Sequence, residues 1–146
     1  MKVTTIIDPL REEEVVIHAH ERTEVIGQIE AFVADADTEL VAYTDCKEIV
    51  RLYAQDVHCF LIEDGRIYAL TDREKLRVKQ RLYVLEQMLD HSFLKLNQSC
   101  IGNVSKIDRF GASIGGTLTV HFKNGHRDYV SRRQLKAVKE RIGFSL

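Results

Sequence analysis

Two dipeptides set the tightest limit on what this chain can fold into: Asp64-Gly65 and Asn124-Gly125. Both residues of such a pair tolerate positive φ, which the two-residue turns of antiparallel hairpins require. Short β-branched and aromatic runs flank each pair. "VHCFLIE" and "RIYALT" surround the first, "TLTVHFK" and "HRDYV" the second. In the second hairpin Leu118, Val120 and Phe122 fall on one strand face, with Thr119, His121 and Lys123 on the other. At least two hairpins, each burying one face, are therefore expected.

The rest of the chain fits round that frame. "ELVAYT", "EIVRLYAQ", "FLKLN" and "SKIDRF" read as further short strands, and Gly115-Gly116 marks a break before "TLTVHFK". Three segments carry apolar residues at helical spacing. They are 23–36 with Val25, Ile29, Phe32 and Val33, then 76–89 with Val78, Leu82, Leu85 and Leu89, then 131–143 with Leu135, Val138 and Ile142. Near the start, "KVTTIID" and "EVVIHAH" read as strands on either side of the only proline, Pro9. The expected fold is α+β: short, mainly antiparallel strands in small stacked sheets, about three helices, and a strand-strand-helix extension in front. A boundary near residue 40 divides an extension, 1–40, from a main domain, 41–146.

Several function classes drop out. No apolar run approaches the roughly 20 residues that span a bilayer, and the start of the chain lacks the apolar length of a signal peptide. A cytoplasmic protein is expected. Cys46, Cys59 and Cys100 are isolated and odd in number, so neither a disulfide framework nor a zinc ribbon is indicated. His18-x-His20 has no third ligand nearby. His58 and Cys59 are strand neighbours pointing to opposite faces, which argues against a nucleophile–base dyad. No P-loop, GxGxxG or HExxH occurs. Neither an enzyme, a cofactor, a metal nor a small-molecule substrate is expected.

Charge is the more informative quantity. The net charge is −1, but residues 1–40 hold ten acidic side chains against three basic ones, and residues 41–146 twelve against eighteen. Segregation of this kind suits a basic, nucleic-acid-facing part joined to an acidic one. The last helix sharpens this. Ser131 and Gln134 have capping-box spacing, and Gly143 is a natural stop. Arg132 and Arg133 then lie in the first turn, where the helix dipole disfavours cations unless an external anion is present. Lys136, Lys139 and Arg141 extend the positive character, with only Glu140 opposing.

The run "FLKLNQSCIGN" supplies a second element. Strand alternation puts Leu94 and Leu96 on one face and Lys95 and Asn97 on the other, and "NQS" reads as a turn. Lys95 suits a phosphate, and Gln98 has the paired donor and acceptor that suit a base edge. Ser99 and Asn103 suit side-chain to backbone bonds that hold the turn.

"FLKLNQSCIGNVSKI" resembles the signature of the LytTR DNA-binding domain family: Phe93, Ser99, Asn103, Lys106 and Ile107 match it directly. "HFKNGHRDYVSRRQLKAVKERIG" resembles that family's closing block of strand, Asn-Gly turn and helix start. The similarity covers roughly residues 40–144. Lys95 stands where arginine is common, and Asn97 where histidine is common. The resemblance implies a sequence-specific, duplex-DNA-binding transcriptional regulator that reads DNA through loops. Three regions would reach one DNA face: the loop from Gln55 to His58, the turn from Lys95 to Ser99, and the helix start at Arg132 and Arg133, with Lys136 on a phosphate. Arg133 is the candidate for guanine readout. The resemblance also implies binding as a pair on repeated promoter sites and, in some single-module members, restraint by a small membrane protein. An RNA-binding domain and a protein-partner module remain as alternatives, although few aromatics interleave with the basic residues.

Overall fold

The computed structural model describes residues 1–36, 38–89, 92–112 and 117–143, with the side chains of 35 and 36 left aside. The expected break at Gly115-Gly116 lies outside the described residues. In chain order the elements are α1 (Glu24–Ala36), β1 (Glu39–Tyr43), β2 (Ile49–Tyr53), β3 (Cys59–Glu63), β4 (Arg66–Leu70), β5 (Lys75–Val78), α2 (Leu82–Met88), β6 (Phe93–Asn97), β7 (Cys100–Asn103), β8 (Ile107–Ala112), β9 (Leu118–Phe122), β10 (Arg127–Val130) and α3 (Leu135–Ile142). Single 3-10 turns at Ala54–Asp56 and Val104–Lys106 join β2 to β3 and β7 to β8.

Seven strands form one sheet in the order β2-β1-β5-β4-β3-β7-β6, and three form a second in the order β10-β9-β8. The observed pairings are antiparallel. The Asp64-Gly65 turn takes positive φ at both residues, 52° and 73°, and sets Glu63 opposite Arg66. Gly125 at the second turn has φ 92°. The expected α+β class with two sheets is thus the observed one.

The large sheet buries both faces, each by period-2 alternation. Phe60, Ala69, Leu76, Val78 and Ile101 pack under Leu82, Leu85 and Leu89. On the opposite face Cys59, Leu96 and Cys100 meet Leu118, Val120, Phe122 and Val130 of the second sheet, with Val138 from α3. The two sheets come close at Gly102, where a Cβ would lie 3.0 Å from Leu96 Cδ1 and from Phe122 Cζ.

Three expectations need correction. Residues 2–8 and 14–20 form no strands; Ile6, Ile7, Leu10, Val15 and Val16 are exposed. A β-branched run becomes a strand only beside a partner edge, and a lone two-stranded ribbon is marginal in water. The segment 76–89 is not one helix. Lys75–Val78 pairs with β4 and β1, and the helix starts only at Leu82. Val78 belongs to a period-2 pair with Leu76 and also to the helical series with Leu82, Leu85 and Leu89, so spacing alone could not divide them. On α1 the stripe Val25, Phe32 and Val33 is exposed, Ile29 is half-buried, and Ile26 is the buried residue.

Candidate nucleic-acid interface

The turn joining β6 to β7 has Gln98 and Ser99 at its tip, both exposed. A β-bulge between Lys95 and Asn97 breaks the strand alternation. The extra residue re-aims the side chains next to it, so Leu96 and Asn97 both point inward, and Asn97 is only 2% exposed. Its amide Nδ2 donates to Asp128 Oδ1 and to the Tyr129 carbonyl, each at 2.8 Å. Its Oδ1 accepts from the Ser99 N–H at 2.8 Å. Both hydrogens and the carbonyl of Asn97 are thus engaged inside the protein, and the expectation that it faces DNA is corrected. Lys95 is half-buried on the α2 side. Ser99 closes the turn from its other end: its carbonyl accepts from Ile62 N–H at 2.8 Å.

Asp128 is the hub of this arrangement. Besides Asn97 it accepts from the Tyr129 N–H at 2.9 Å, and its Oδ2 lies 3.3 Å from His126 Nε2. Burial pushes the Asp128 carboxyl up, but hydrogen bonds from His126, the Tyr129 amide and Asn97 outweigh it and hold it below the usual range.

The lead-in to α3 is fixed to the same strand. Ser131 N–H donates to the Leu96 carbonyl at 2.9 Å, and Gln134 N–H to the Ser131 carbonyl at 3.0 Å. The α-helix therefore opens at Leu135, with Gln134 as its N-cap and no side-chain cap. The expected capping box does not form, because the Ser131 amide is engaged by β6. Arg132 and Arg133 consequently sit in the turn before the helix, both exposed. Arg132 already interacts within the protein. Lys136 is exposed one residue into α3. The stop is as expected: Gly143 adopts φ 74°.

The third region lies at the far end of β3, roughly 15 Å away at about 3.3 Å per residue. His58 is 1% exposed; its Nε2 lies 2.6 Å from Asp72 Oδ1, and its Nδ1 is buried without a partner. The bond to His58 holds the Asp72 carboxyl low, against the opposing effect of desolvation. His58 is thus a buried support, and its expected place at a DNA surface is corrected too. Gln55 is half-buried and its Oε1 is enclosed without a partner. The structure brings Lys95, Gln98, Ser99, Arg132 and Arg133 to one end and leaves Gln55 and His58 at the other. Asp128 was missed from sequence: it lies 31 residues from Asn97, and no local spacing announces the contact.

Residues 47–143 match the LytTr DNA-binding domain family. The chain belongs to this family. Two HTH-type transcriptional regulators of Staphylococcus aureus, from strains MSSA476 and MW2, are each 33% identical over 147 residues, a match spanning 99% of this chain and of each regulator. A solved LytTr DNA-binding domain from Bacillus cereus superposes with a TM-score of 0.68 at 21% identity, over 73% of this chain and 99% of that one. The fold is therefore the LytTr fold, and the domain is a DNA-binding one. Among the described residues no two helices are joined by a short turn; strands β1 to β5 separate α1 from α2, and β6 to β10 separate α2 from α3. No helix among them is long and apolar enough to cross a membrane.

Proposed function

We propose that this protein is a sequence-specific transcriptional regulator that reads duplex DNA with the β6–β7 turn and the lead-in to α3. The observation that carries the reading is the Asn97 cross-tie. By bonding to Asp128 and Tyr129 while it shapes the Ser99 turn, Asn97 holds the Gln98 tip and the Arg133 turn as one rigid unit. Preset geometry of this kind lowers the ordering cost of binding and fixes which base edges the two turns meet. Gln98 and Arg133 carry the base contacts, Lys95, Ser99, Arg132 and Lys136 the backbone contacts, and Gln55 marks a more distant edge of the footprint.

The same resemblance supports a pair of copies on repeated sites and restraint by a small membrane protein. The exposed apolar residues ahead of α1 favour some protein contact beside the DNA. The test of the central reading is selection of duplexes from a random pool, then anisotropy titration at fixed salt. Arg133→Ala should lose about 1–3 kcal/mol on the selected duplex and little on a scrambled one, whereas Lys136→Ala should weaken both alike. Full selective affinity in the Arg133→Ala protein would defeat the assignment.

A further inference from the structure

The two sheets end in four outer strands, and these are not alike. β6 is met by the lead-in to α3, where Ser131 N–H donates to the Leu96 carbonyl, and β10 by Asn97, which donates to the Tyr129 carbonyl. β8 carries a bulge between Ile107 and Arg109 and the exposed charges of Asp108 and Arg109. β2 has none of these guards. It pairs with β1 in unbroken register from Ile49 to Tyr53, and its one charge, Arg51, is tied back to Glu39 of β1. Thr44 N–H donates to the Glu48 carbonyl and Ala54 N–H to the Thr38 carbonyl, one at each end of this ladder. Antiparallel partners alternate between bonded and unbonded pairs. The even-numbered residues of β2 therefore bond β1, and Ile49, Arg51 and Tyr53 turn N–H and C=O outward. Among the described residues these outward groups have no partner. A regular, unguarded edge of this kind accepts a further strand.

The same chain holds a strand former that lacks an edge. Residues 3–7, Val-Thr-Thr-Ile-Ile, are β-branched throughout, the class enriched in strands. All are exposed, Ile6 at 82% and Ile7 at 87%. Length and pattern both suit β2. With Thr5 opposite Arg51, in either strand direction, Val3 and Ile7 fall beside the exposed Ile49 and Tyr53. Thr4 and Ile6 then extend the row of Val50 and Leu52 on the α2 face. Charge suits it as well. Asp8 and Glu12 to Glu14 follow the run, while Tyr43 and Arg77 stand in line with Ile49 across β1 and β5, with Lys79 over the Tyr43 ring.

The geometry points to strand donation between copies: residues 3–7 of one copy add to the outer edge of β2 in a second copy bound beside it on DNA. The inference rests on the DNA-binding reading above and names the surface that holds such a pair together. A neighbour is a better acceptor than the chain's own β2. Glu24 and Gly27, at the start of α1, border a groove with Ser92, Ser105 and Arg141 on the β6 side of the large sheet. The chain ahead of α1 leaves on that side, which is six strand spacings, or about 29 Å at 4.8 Å each, from its own β2. Residues 8–23 can span up to roughly 50 Å, enough to reach an adjoining copy. One short strand holds free copies together only weakly. Side by side on one duplex the same pairing becomes intramolecular, at an effective concentration of about mM.

The experiment titrates the full chain on duplexes carrying one or two copies of the selected site, in direct and inverted order, at centre spacings from about 10 to 30 base pairs. At one arrangement the wild type should bind the second site about 5- to 150-fold more tightly than the first. Thr5→Pro removes the central N–H of the donated strand from exposed chain. One-site affinity and melting temperature should stay at wild-type values, and the two-site advantage should be lost. Ile49→Lys, which sets a charge on the acceptor edge, should act in the same way. An equimolar mixture of the two variants should regain part of the advantage, because the Ile49→Lys copy still donates and the Thr5→Pro copy still accepts.

Full two-site cooperativity in Thr5→Pro overturns strand donation and leaves the DNA-binding reading in place. So does wild-type binding that is independent at every spacing and orientation. A mixture that regains nothing overturns exchange between copies, since each strand would then be using the edge of its own chain. Failure of the wild type to select any duplex removes the DNA-binding reading and the pairing with it.

Discussion

Asn97 is the residue on which the interface turns. The side chain is buried, and a buried amide left without partners costs far more than the net gain from a satisfied one. Both its hydrogens and its carbonyl are engaged: two donated bonds cross to β10, and one accepted bond shapes the Gln98-Ser99 turn. Replacing it leaves the Asp128 carboxylate with one donor fewer and the Ser99 N–H unsatisfied. Asn97→Ala should therefore destabilise the protein by about 1–3 kcal/mol in urea denaturation, and a loss below about 0.5 kcal/mol would place it with ordinary surface substitutions. The polarity of this residue was legible in the sequence, but its direction was not. Strand alternation put Asn97 with Lys95, and a one-residue bulge, set by the packing of Leu96 against the second sheet, reversed it. Asn103 was read in kind: its side chain holds backbone, although the bonds go to Val57 and Ser105 and not to the β6–β7 turn.

At the scale of elements, what could be read depended on where the partner lay. The hairpins at Asp64-Gly65 and Asn124-Gly125 are local events, and both formed where the turn chemistry put them. β5 is a long-range event. Its pairing with β1 joins residues 42 and 78, and nothing in "KLRV" announces that an edge waits for it. Helix α1 shows the opposite failure, since its apolar periodicity is real but no surface covers most of it. Val33 is 43% exposed and Ile26 is 6% exposed on the same helix. Valine and serine have similar helix propensities, so Val33→Ser should change stability by less than about 0.5 kcal/mol. Ile26→Ala, which opens a void beneath α1, should cost about 2 kcal/mol or more. Equal effects at the two positions in urea denaturation would mean that the exposed stripe is covered in the protein as it occurs in solution.

For the whole molecule the decisive contrast is between residues 1–22 and the strand after α1. The first segment is acidic, rich in β-branched side chains and unpaired in any sheet. The backbone bond from Arg11 N–H to the Asp8 carbonyl, at 3.3 Å, stays within the segment itself. β1, in contrast, lies between β2 and β5 and buries Leu40 and Ala42 in the core under α2. A division near residue 40, as composition suggests, would therefore cut into the sheet, whereas a cut after Arg22 keeps Thr23 at the start of α1 and gives up, of the ties to α1 among the described residues, the exposed Arg22–Glu30 pair. Deleting residues 1–22 should shift the melting temperature by less than about 2 °C, the response to a change well under 1 kcal/mol. Deleting through Asp45 should abolish the cooperative transition. The two S. aureus regulators align with this chain over 99% of its length, so the segment is part of what the chains share and not an appendage peculiar to one. Its exposed Ile6, Ile7, Leu10, Val15 and Val16 are available for another surface, since the Arg22–Glu30 pair holds only the end of the segment to α1. The deletion tests that directly: a melting temperature that falls by several degrees, and does so more at high protein concentration, would mean that the segment already pairs between copies in solution.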